Sequence, residues 1–351
     1  MTTPPDTPRT SHVGEAPLEP RRPAADTLCA EHPDWQDPVE TPDHDDWPEV
    51  GSAPVTVLVP TLNEAADLPG CLRRLRWAEQ VMVIDSGSTD DTVAIAQALG
   101  AEVVRFDYTR HSPAGWPKKR NWALDHAPIR HDWVLLIDAD EHAVPALARQ
   151  VADVVTGRGR PQRPGDGAAY WLNRRFIFRG RWVRYGGYYP AWNLRLFKRD
   201  AGRFERLTTA GDTKSGDMEV HEHIKLTPQA GEAGYLDHDL LHYEIADFAE
   251  WVEKHNRYSS WEAAVARTGP TDGIAPRLLG TPPQRRRWLK RAARRLPFRP
   301  TLRFWYHFGL RQGFREGKLG LHLARLLAAY EAMTLAKADA PSLEKAEAGD
   351  E

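Results

Sequence analysis

The chain has 351 residues, of which 41% are hydrophobic and 27% charged, with a formal net charge of −2. That composition suits a globular protein with one large or two small domains. Two cysteines exclude a disulfide framework, and no apolar run approaches the ~20 residues that cross a bilayer. The near-neutral total hides a strong asymmetry. Residues 1–50 hold twelve acids, ten prolines and three arginines, whereas residues 277–325 hold fourteen Lys/Arg and a single acid, Glu316.

The first 50 residues lack apolar periodicity and read as a disordered leader. Val55 to Pro60 (VTVLVP) is a β-branched run and predicts a buried strand. Asn63 to Trp77 predicts a helix with Leu68, Leu72 and Leu75 on one face. Val81 to Asp85 (VMVID) predicts a second strand, followed by the turn Ser86 to Thr92 and a helix bearing Val93, Ala96 and Leu99. Ala101 to Phe106 predicts a third strand, Lys118 to His126 a helix, and Trp133 to Asp138 (WVLLID) a fourth strand. Beyond residue 170 an aromatic, arginine-rich stretch predicts strands and loops, and after Asp247 the pattern turns helical.

Strand and helix alternate with short connections, which specifies βαβ units and a mostly parallel sheet. In such sheets ligands bind beyond the carboxyl ends of the strands. The polar groups Thr61–Glu64, Asp85–Asp91 and Asp138–Glu141 each follow a predicted strand, so all three converge on one edge. Within Asp138-Ala139-Asp140 two carboxylates at this spacing can face one hard divalent cation, Mg²⁺ or Mn²⁺, with room left for phosphate oxygens. Gly87 permits the turn after the second strand. Ser88 or Asp90 can cap the next helix. Asp85 precedes that turn, and capping does not obviously account for it. Lys118, Lys119 and Arg120 supply positive charge for a diphosphate.

Four segments, VLVPTLNEAADLPGCLRRL, VMVIDSGSTDDTVAIAQALGAEVV, KKRNWALDHA and WVLLIDADE, together resemble glycosyltransferase family 2, over about residues 53–260. Within the family the resemblance is to lipopolysaccharide-core and related cell-envelope transferases. It implies a GT-A fold with a helical C-terminal extension. It also implies inverting transfer from a nucleotide-diphosphate donor, usually a UDP-sugar, to a glycan or lipid-linked acceptor. By position, Pro60, Thr61, Asn63 and Glu64 match the loop against the nucleoside. Asp85, with Ser86 and Gly87, matches the base-reading turn. Lys118, Arg120 and Asn121 match the segment over ribose and phosphates. Asp138, Ala139 and Asp140 match the metal and diphosphate site, to which His242 is a further candidate ligand.

An inverting transfer needs a base for the acceptor proton. Asp217, Glu219 and Glu222 cluster in GDMEVHEH, and the resemblance favours Glu222, although the usual acidic pair is replaced here by His-Glu. Alternation over Tyr188 to Asp200 puts Leu194 and Leu196 on one face and Asn193, Arg195 and Phe197 on the other. Trp192, Arg195 and Lys198 are candidates for acceptor or phosphate contact. Residues 285–335 mix arginines with leucines and aromatics, which fits an anionic membrane interface rather than nucleic acid. The expected organisation is a leader (1–50), a catalytic domain (51–245, split near 141), a basic helical extension (246–335) and a flexible tail (336–351). The expected location is cytoplasmic, against the inner face of the plasma membrane.

Three other readings compete. A sugar-phosphate nucleotidyltransferase wants a Gly-rich basic loop where this chain has PTLNEA. A non-catalytic nucleotide or carbohydrate-binding module would tolerate loss of Asp138 or Asp140. A hydrolase on a zinc site would need His221, His223, His238 and His242 to converge, and Lys225 breaks the H-E-x-x-H spacing.

Overall fold

The computed structural model describes residues 52–107, 119–205, 223–245, 248–268, 273–293 and 296–340. The leader at 1–50, Lys118, Asp217, Glu219, His221, Glu222 and residues 341–351 lie outside the described residues. The strands are β1 (Ala53–Thr61), β2 (Ala78–Asp85), β3 (Glu102–Arg105), β4 (Trp133–Leu136), β5 (Glu141–His142), β6 (Arg163–Gly165), β7 (Ala169–Phe178), β8 (Arg181–Trp182), β9 (Ala191–Lys198), β10 (Gly202–Phe204), β11 (Ile224–Leu226), β12 (Ala233–Tyr235) and β13 (Leu240–Ile245). The helices are α1 (Leu68–Arg73), α2 (Thr92–Ala98), α3 (Lys119–His126), α4 (Pro145–Val155), α5 (Phe248–Thr268), α6 (Pro282–Ala293), α7 (Arg299–Trp305) and α8 (Gly317–Asp339).

The main sheet runs β3-β2-β1-β4-β9-β7-β12-β6. Its first four strands are parallel, as the alternation predicts. β9 lies antiparallel between β4 and β7, and β13 pairs parallel with the end of β7 and antiparallel with β5. Val57, Leu58 and Val59 on β1 are all buried, because both sides of the sheet are covered. One side packs Val55, Val57 and Val59 with Leu68, Leu72, Leu147 and Val151 of α1 and α4. The other packs Leu58, Met82 and Ile84 with Ala123 and Leu124 of α3.

Two departures from the sequence pattern shape the site. The helix expected from Asn63 starts only at Leu68. The N–H groups of Asn63, Glu64 and Ala65 donate instead to Ser88 Oγ (2.9 Å), Thr92 Oγ1 (2.8 Å) and Asp90 Oδ2 (3.2 Å), so this stretch is a loop stitched to its neighbour. The second departure is in β9. Tyr170 pairs with Leu196 and Trp171 with Leu194, which leaves Arg195 as the extra residue of a β-bulge. The bulge breaks the expected alternation: Leu196 joins the first face of the core, whereas Leu194 and Phe197 join the second.

The C-terminal helices close a third cluster, in which Phe176, Phe178 and Val183 pack with Trp251, Leu319, Leu323 and Tyr330. The extension therefore shares a core with β7. α8 also continues to Asp339, past the boundary expected at 335.

Candidate active site

At the ends of β1 and β2 two polar loops satisfy each other. The Asp85 carboxylate is fully buried and accepts from the N–H of Gly87 (3.0 Å) and of Ser88 (3.1 Å), and from Thr61 Oγ1 (3.4 Å). Asp85 is thus held by its own turn and, as expected, not by helix capping, since α2 begins only at Thr92. Gly87 adopts φ +93°, which a side chain rarely tolerates. Asn63 sits at φ +58°, where its Oδ1 accepts from Thr89 N–H (2.8 Å). Pro60 is partly buried at the end of β1. Ser86 Oγ is buried, and no partner among the described residues lies within hydrogen-bonding reach.

Across the edge, α3 brings basic and amide groups. Lys119 is buried and donates to the Thr61 carbonyl (3.2 Å). Arg120 donates to Asp138 Oδ1 (2.7 Å) and lies over the Phe204 ring. Asn121 spends its amide on the backbone of Phe204, donating to its carbonyl (2.9 Å) and accepting from its N–H (2.8 Å). In this geometry Arg120 pairs with the acid loop, and Asn121 pins β10.

The acid loop is a charge network. Asp138 Oδ2 accepts from Arg195 (2.6 Å), which also reaches Glu141 Oε1 (2.7 Å). Arg174 donates to the same Glu141 oxygen (3.0 Å), and Glu141 Oε2 accepts from Asp138 N–H (2.9 Å). Burial opposes ionisation of Asp138, but the charges of Arg195 and Arg120 hold its carboxyl well below the usual carboxylate range. Ala139 is buried between the two acids of the motif. β-Bulges re-aim side chains beside functional sites, and here the bulge directs Arg195 into this network.

Asp140 faces elsewhere. His242 on β13 places Nε2 3.4 Å from Asp140 Oδ2, and Tyr243 N–H donates to the Asp140 carbonyl (2.8 Å). Burial works against ionisation here too, yet the charge and hydrogen bond of His242 lower the Asp140 pKa. Nearby, Glu64 is pushed up to about 8, first by burial and then by the charges of Asp140 and Asp67.

The residues fit a divalent cation, though not as the motif alone suggested. Both Asp138 oxygens accept from guanidinium groups, Oδ1 from Arg120 and Oδ2 from Arg195. Asp140 and His242 are the adjacent donor pair, and Glu64, raised first by burial and then by the charge of Asp140, lies beside them. Among the described residues no three His, Cys, Asp or Glu side chains enclose a metal by themselves. A cation here takes its remaining ligands from phosphate or water, as hard ions at phosphate sites do. The same observation leaves His223, His238 and His242 without a shared zinc site.

The segment carrying Glu222 lies outside the described residues, but its two ends are fixed. Glu205 N–H donates to the His223 carbonyl (3.0 Å), and His223 N–H donates to Glu205 Oε1 (3.0 Å). Glu205 is fully buried and also accepts from Ile274 N–H (2.7 Å) and from Arg287. These ends adjoin Phe204, beneath Arg120. Of the three β9 candidates only Arg195 reaches the acid loop. Trp192 packs edge-on against Tyr235, with ring centroids 5.0 Å apart. Lys198 is set apart: it pairs with Trp133 at the far end of β4, roughly 16 Å along the chain from Asp138 at about 3.3 Å per residue. The sequence reading missed Arg174, Glu141 as a network centre, and Glu205. A charged residue within a largely apolar strand, as with Arg174 in the run at 169–178, was the available signal.

Residues 56–214 match the model of Glycosyl transferase family 2. A lipopolysaccharide core biosynthesis glycosyltransferase, LpsC of Rhizobium meliloti, is 28% identical over 217 residues, covering 60% of this chain and 70% of that protein. That match, with LpsC, places residues 56–214 in glycosyltransferase family 2. An uncharacterized glycosyltransferase of Rickettsia prowazekii is 26% identical over 212 residues, covering 60% of this chain and 66% of that one. This glycosyltransferase therefore spans about two thirds of the length of both relatives. Among solved structures, glucosyl-3-phosphoglycerate synthase of Mycobacterium tuberculosis, in complex with Mn²⁺, UDP and glucosyl-3-phosphoglycerate, is 20% identical with a TM-score of 0.37; the match covers 68% of this chain and 88% of that one. The parallel strands with acid-bearing carboxyl ends and the family membership make this a GT-A fold with C-terminal helices.

Proposed function

We propose that this family 2 enzyme moves a sugar, with inversion, from a UDP-sugar to a hydroxyl of a cell-envelope glycan or lipid-linked saccharide. The observation that carries the reading is the Asp140–His242 pair beside Glu64, at the carboxyl end of the parallel strands. Asp140 and His242 would hold a divalent cation, and a carboxylate with an imidazole suits Mn²⁺ better than Mg²⁺. Bound there, the cation would neutralise charge that develops on the departing diphosphate.

The chain's own groups supply the rest. Thr61, Ser86 and the stitched loops around Asn63 and Asp85 form a rigid wall for the nucleoside, and Ser86 Oγ has hydrogen-bonding capacity to spare. Arg120 and Arg195, preorganised on Asp138, lie where a diphosphate gains charge. Glu222 takes the proton of the acceptor hydroxyl as its oxygen attacks the anomeric carbon from the face opposite the leaving group. The adjacency of Glu205 and His223 to Phe204 and Arg120 supports that assignment.

The enzyme works in the cytoplasm against the inner face of the plasma membrane. No helix among the described residues is long and apolar enough to cross a membrane. The basic C-terminal region leaves Leu296, Phe298, Trp305 and Leu310 exposed. Apolar side chains displayed among arginines favour an anionic interface.

Asp140→Ala tests the reading. Mn²⁺-dependent release of UDP from the cognate donor should fall by more than about 100-fold, with the thermal unfolding midpoint little changed. A wild-type rate would overturn it.

A further inference from the structure

We infer that the cleft between the β7–β8 hairpin and the turn at residues 306–312 binds the phosphate headgroup of an anionic lipid, at a site separate from the acid loop. This rests on the membrane reading above and names the residues that would read the lipid. The cleft holds about 500 Å³ and is lined by Trp182, Arg184, Tyr189, Leu310, Arg311 and Gln312, among others. That volume lies within the about 300–1,000 Å³ typical of small-molecule sites.

Charge selects the ligand. Two arginines and a glutamine line the cleft, and among the described residues no carboxylate does. The nearest acids are committed to building its walls. Glu316 accepts from Arg181 (2.9 Å) and from the N–H groups of Arg184 (2.8 Å) and Tyr185 (2.9 Å). Asp239 accepts from Asn173 (2.9 Å), Arg175 (2.7 Å) and the Tyr189 hydroxyl (3.1 Å). Arg175 and Arg184 both lie over the Trp182 ring, 4.5 and 4.4 Å from its centroid. The guanidinium of Arg311 meets no carboxylate among the described residues, and a phosphate suits its planar fork.

The scaffold is preformed. Gly186 N–H donates to the Arg311 carbonyl (2.8 Å), and His307 Nδ1 lies 2.6 Å from the Gly186 carbonyl. Gly187 has φ +88°, and a Cβ there would sit 3.3 Å from His307 Nδ1 and 3.6 Å from Arg311 Nε, so the missing side chain lets the two segments meet. Rigid walls lower the ordering cost of binding.

The surroundings point to a lipid rather than a soluble anion. Leu310 at the rim is 74% exposed, and Trp305 and Phe314, just before and after the turn, are 59% and 55% exposed. An acyl chain would lie on this crest while its phosphate enters the cleft. The site is also set apart from the donor edge. Arg174 points to Glu141 and the acid loop, whereas its neighbour Arg175 points to Asp239 and Trp182, on the opposite face of β7.

Vesicle co-sedimentation of the full chain tests this. Wild type should bind vesicles of phosphatidylcholine with phosphatidic acid and not phosphatidylcholine alone. Arg184→Gln combined with Arg311→Gln should weaken that binding about tenfold more than Arg285→Gln combined with Arg291→Gln, which removes two exposed charges outside the cleft. Leu310→Ser with Phe314→Ser should weaken it too, while all variants keep the wild-type unfolding midpoint. Equal loss in the two arginine pairs would overturn the cleft and leave the membrane reading standing. No wild-type binding to anionic vesicles would overturn both. Stabilisation by inorganic phosphate without vesicle binding would assign the cleft to a soluble anion and overturn the lipid. Retained vesicle binding by Asp140→Ala separates the site from donor chemistry; loss of binding in that variant would count against the separation.

Discussion

The two halves of the sheet support the same edge by opposite means. On the parallel half, the loops after β1 and β2 satisfy one another through neutral or singly charged hydrogen bonds over short distances: Asn63 to Thr89, Ser88 to Asn63, Asp85 to its own turn. On the antiparallel half, β7, β9 and β13 send Arg174, Arg195 and His242 across the sheet to balance acids that follow β4. The first half is a rigid wall, and the second is a charge balance that a bound ligand can shift.

The sharpest way to break this contrast is Arg195→Met. It removes the cation from a fully buried Glu141 and from Asp138. Breaking a buried pair from one side costs about 3–5 kcal/mol, read as a fall in the chemical denaturation midpoint at constant slope. A loss below about 1 kcal/mol would show the network to be solvated.

The next effect has the opposite sign and depends on pH. Native Glu64 keeps its proton to about 8, against 4.5 for the free side chain. Native protein therefore binds more protons than unfolded chain between those values. Glu64's contribution is fully present below pH 4.5 and is lost as pH rises through 8. At about 1.4 kcal/mol per unit, Glu64→Gln should stabilise the protein by about 3 kcal/mol at neutral pH and by little at pH 4. Equal stabilisation at both pH values would show that Glu64 is not held protonated by its burial and by the charge of Asp140.

The smallest expected effect belongs to the neutral half. Asn63→Ala loses the hydrogen bonds from Thr89 and places alanine at φ +58°. The cost should be about 1–2 kcal/mol, with no dependence on pH between 5 and 8. A strong pH dependence would show that the Asn63 side chain is coupled to the titration of its neighbour Glu64.

The sequence was most legible where structure is local. The apolar runs of β1, β2 and β4 and the short connections between them specify a parallel sheet, and their polar carboxyl ends do meet at one edge. The acid motif was visible as well, because Asp138 and Asp140 follow a buried strand. What could not be read was the partner of each acid. Arg195 reaches Asp138 only because a bulge interrupts β9, and no periodic pattern announces one inserted residue. Arg120 and Asn121 were placed near the diphosphate by resemblance, yet their contacts here are Asp138 and Phe204, fixed by tertiary packing. The start of α1 was misread for a similar reason, since side chains 25 residues away in the chain compete for its first N–H groups.

β7 carries two arginines in succession, and successive residues of a strand are out of phase by half a turn of the pleat. A single residue inserted or deleted upstream of position 174 in that strand would exchange their destinations, handing the guanidinium meant for the sugar-donor edge to the outer cleft and the reverse. Length there is consequently a specification in its own right. Drift in this enzyme should accumulate as substitutions along β7, while changes in residue count are confined to the connections at either end.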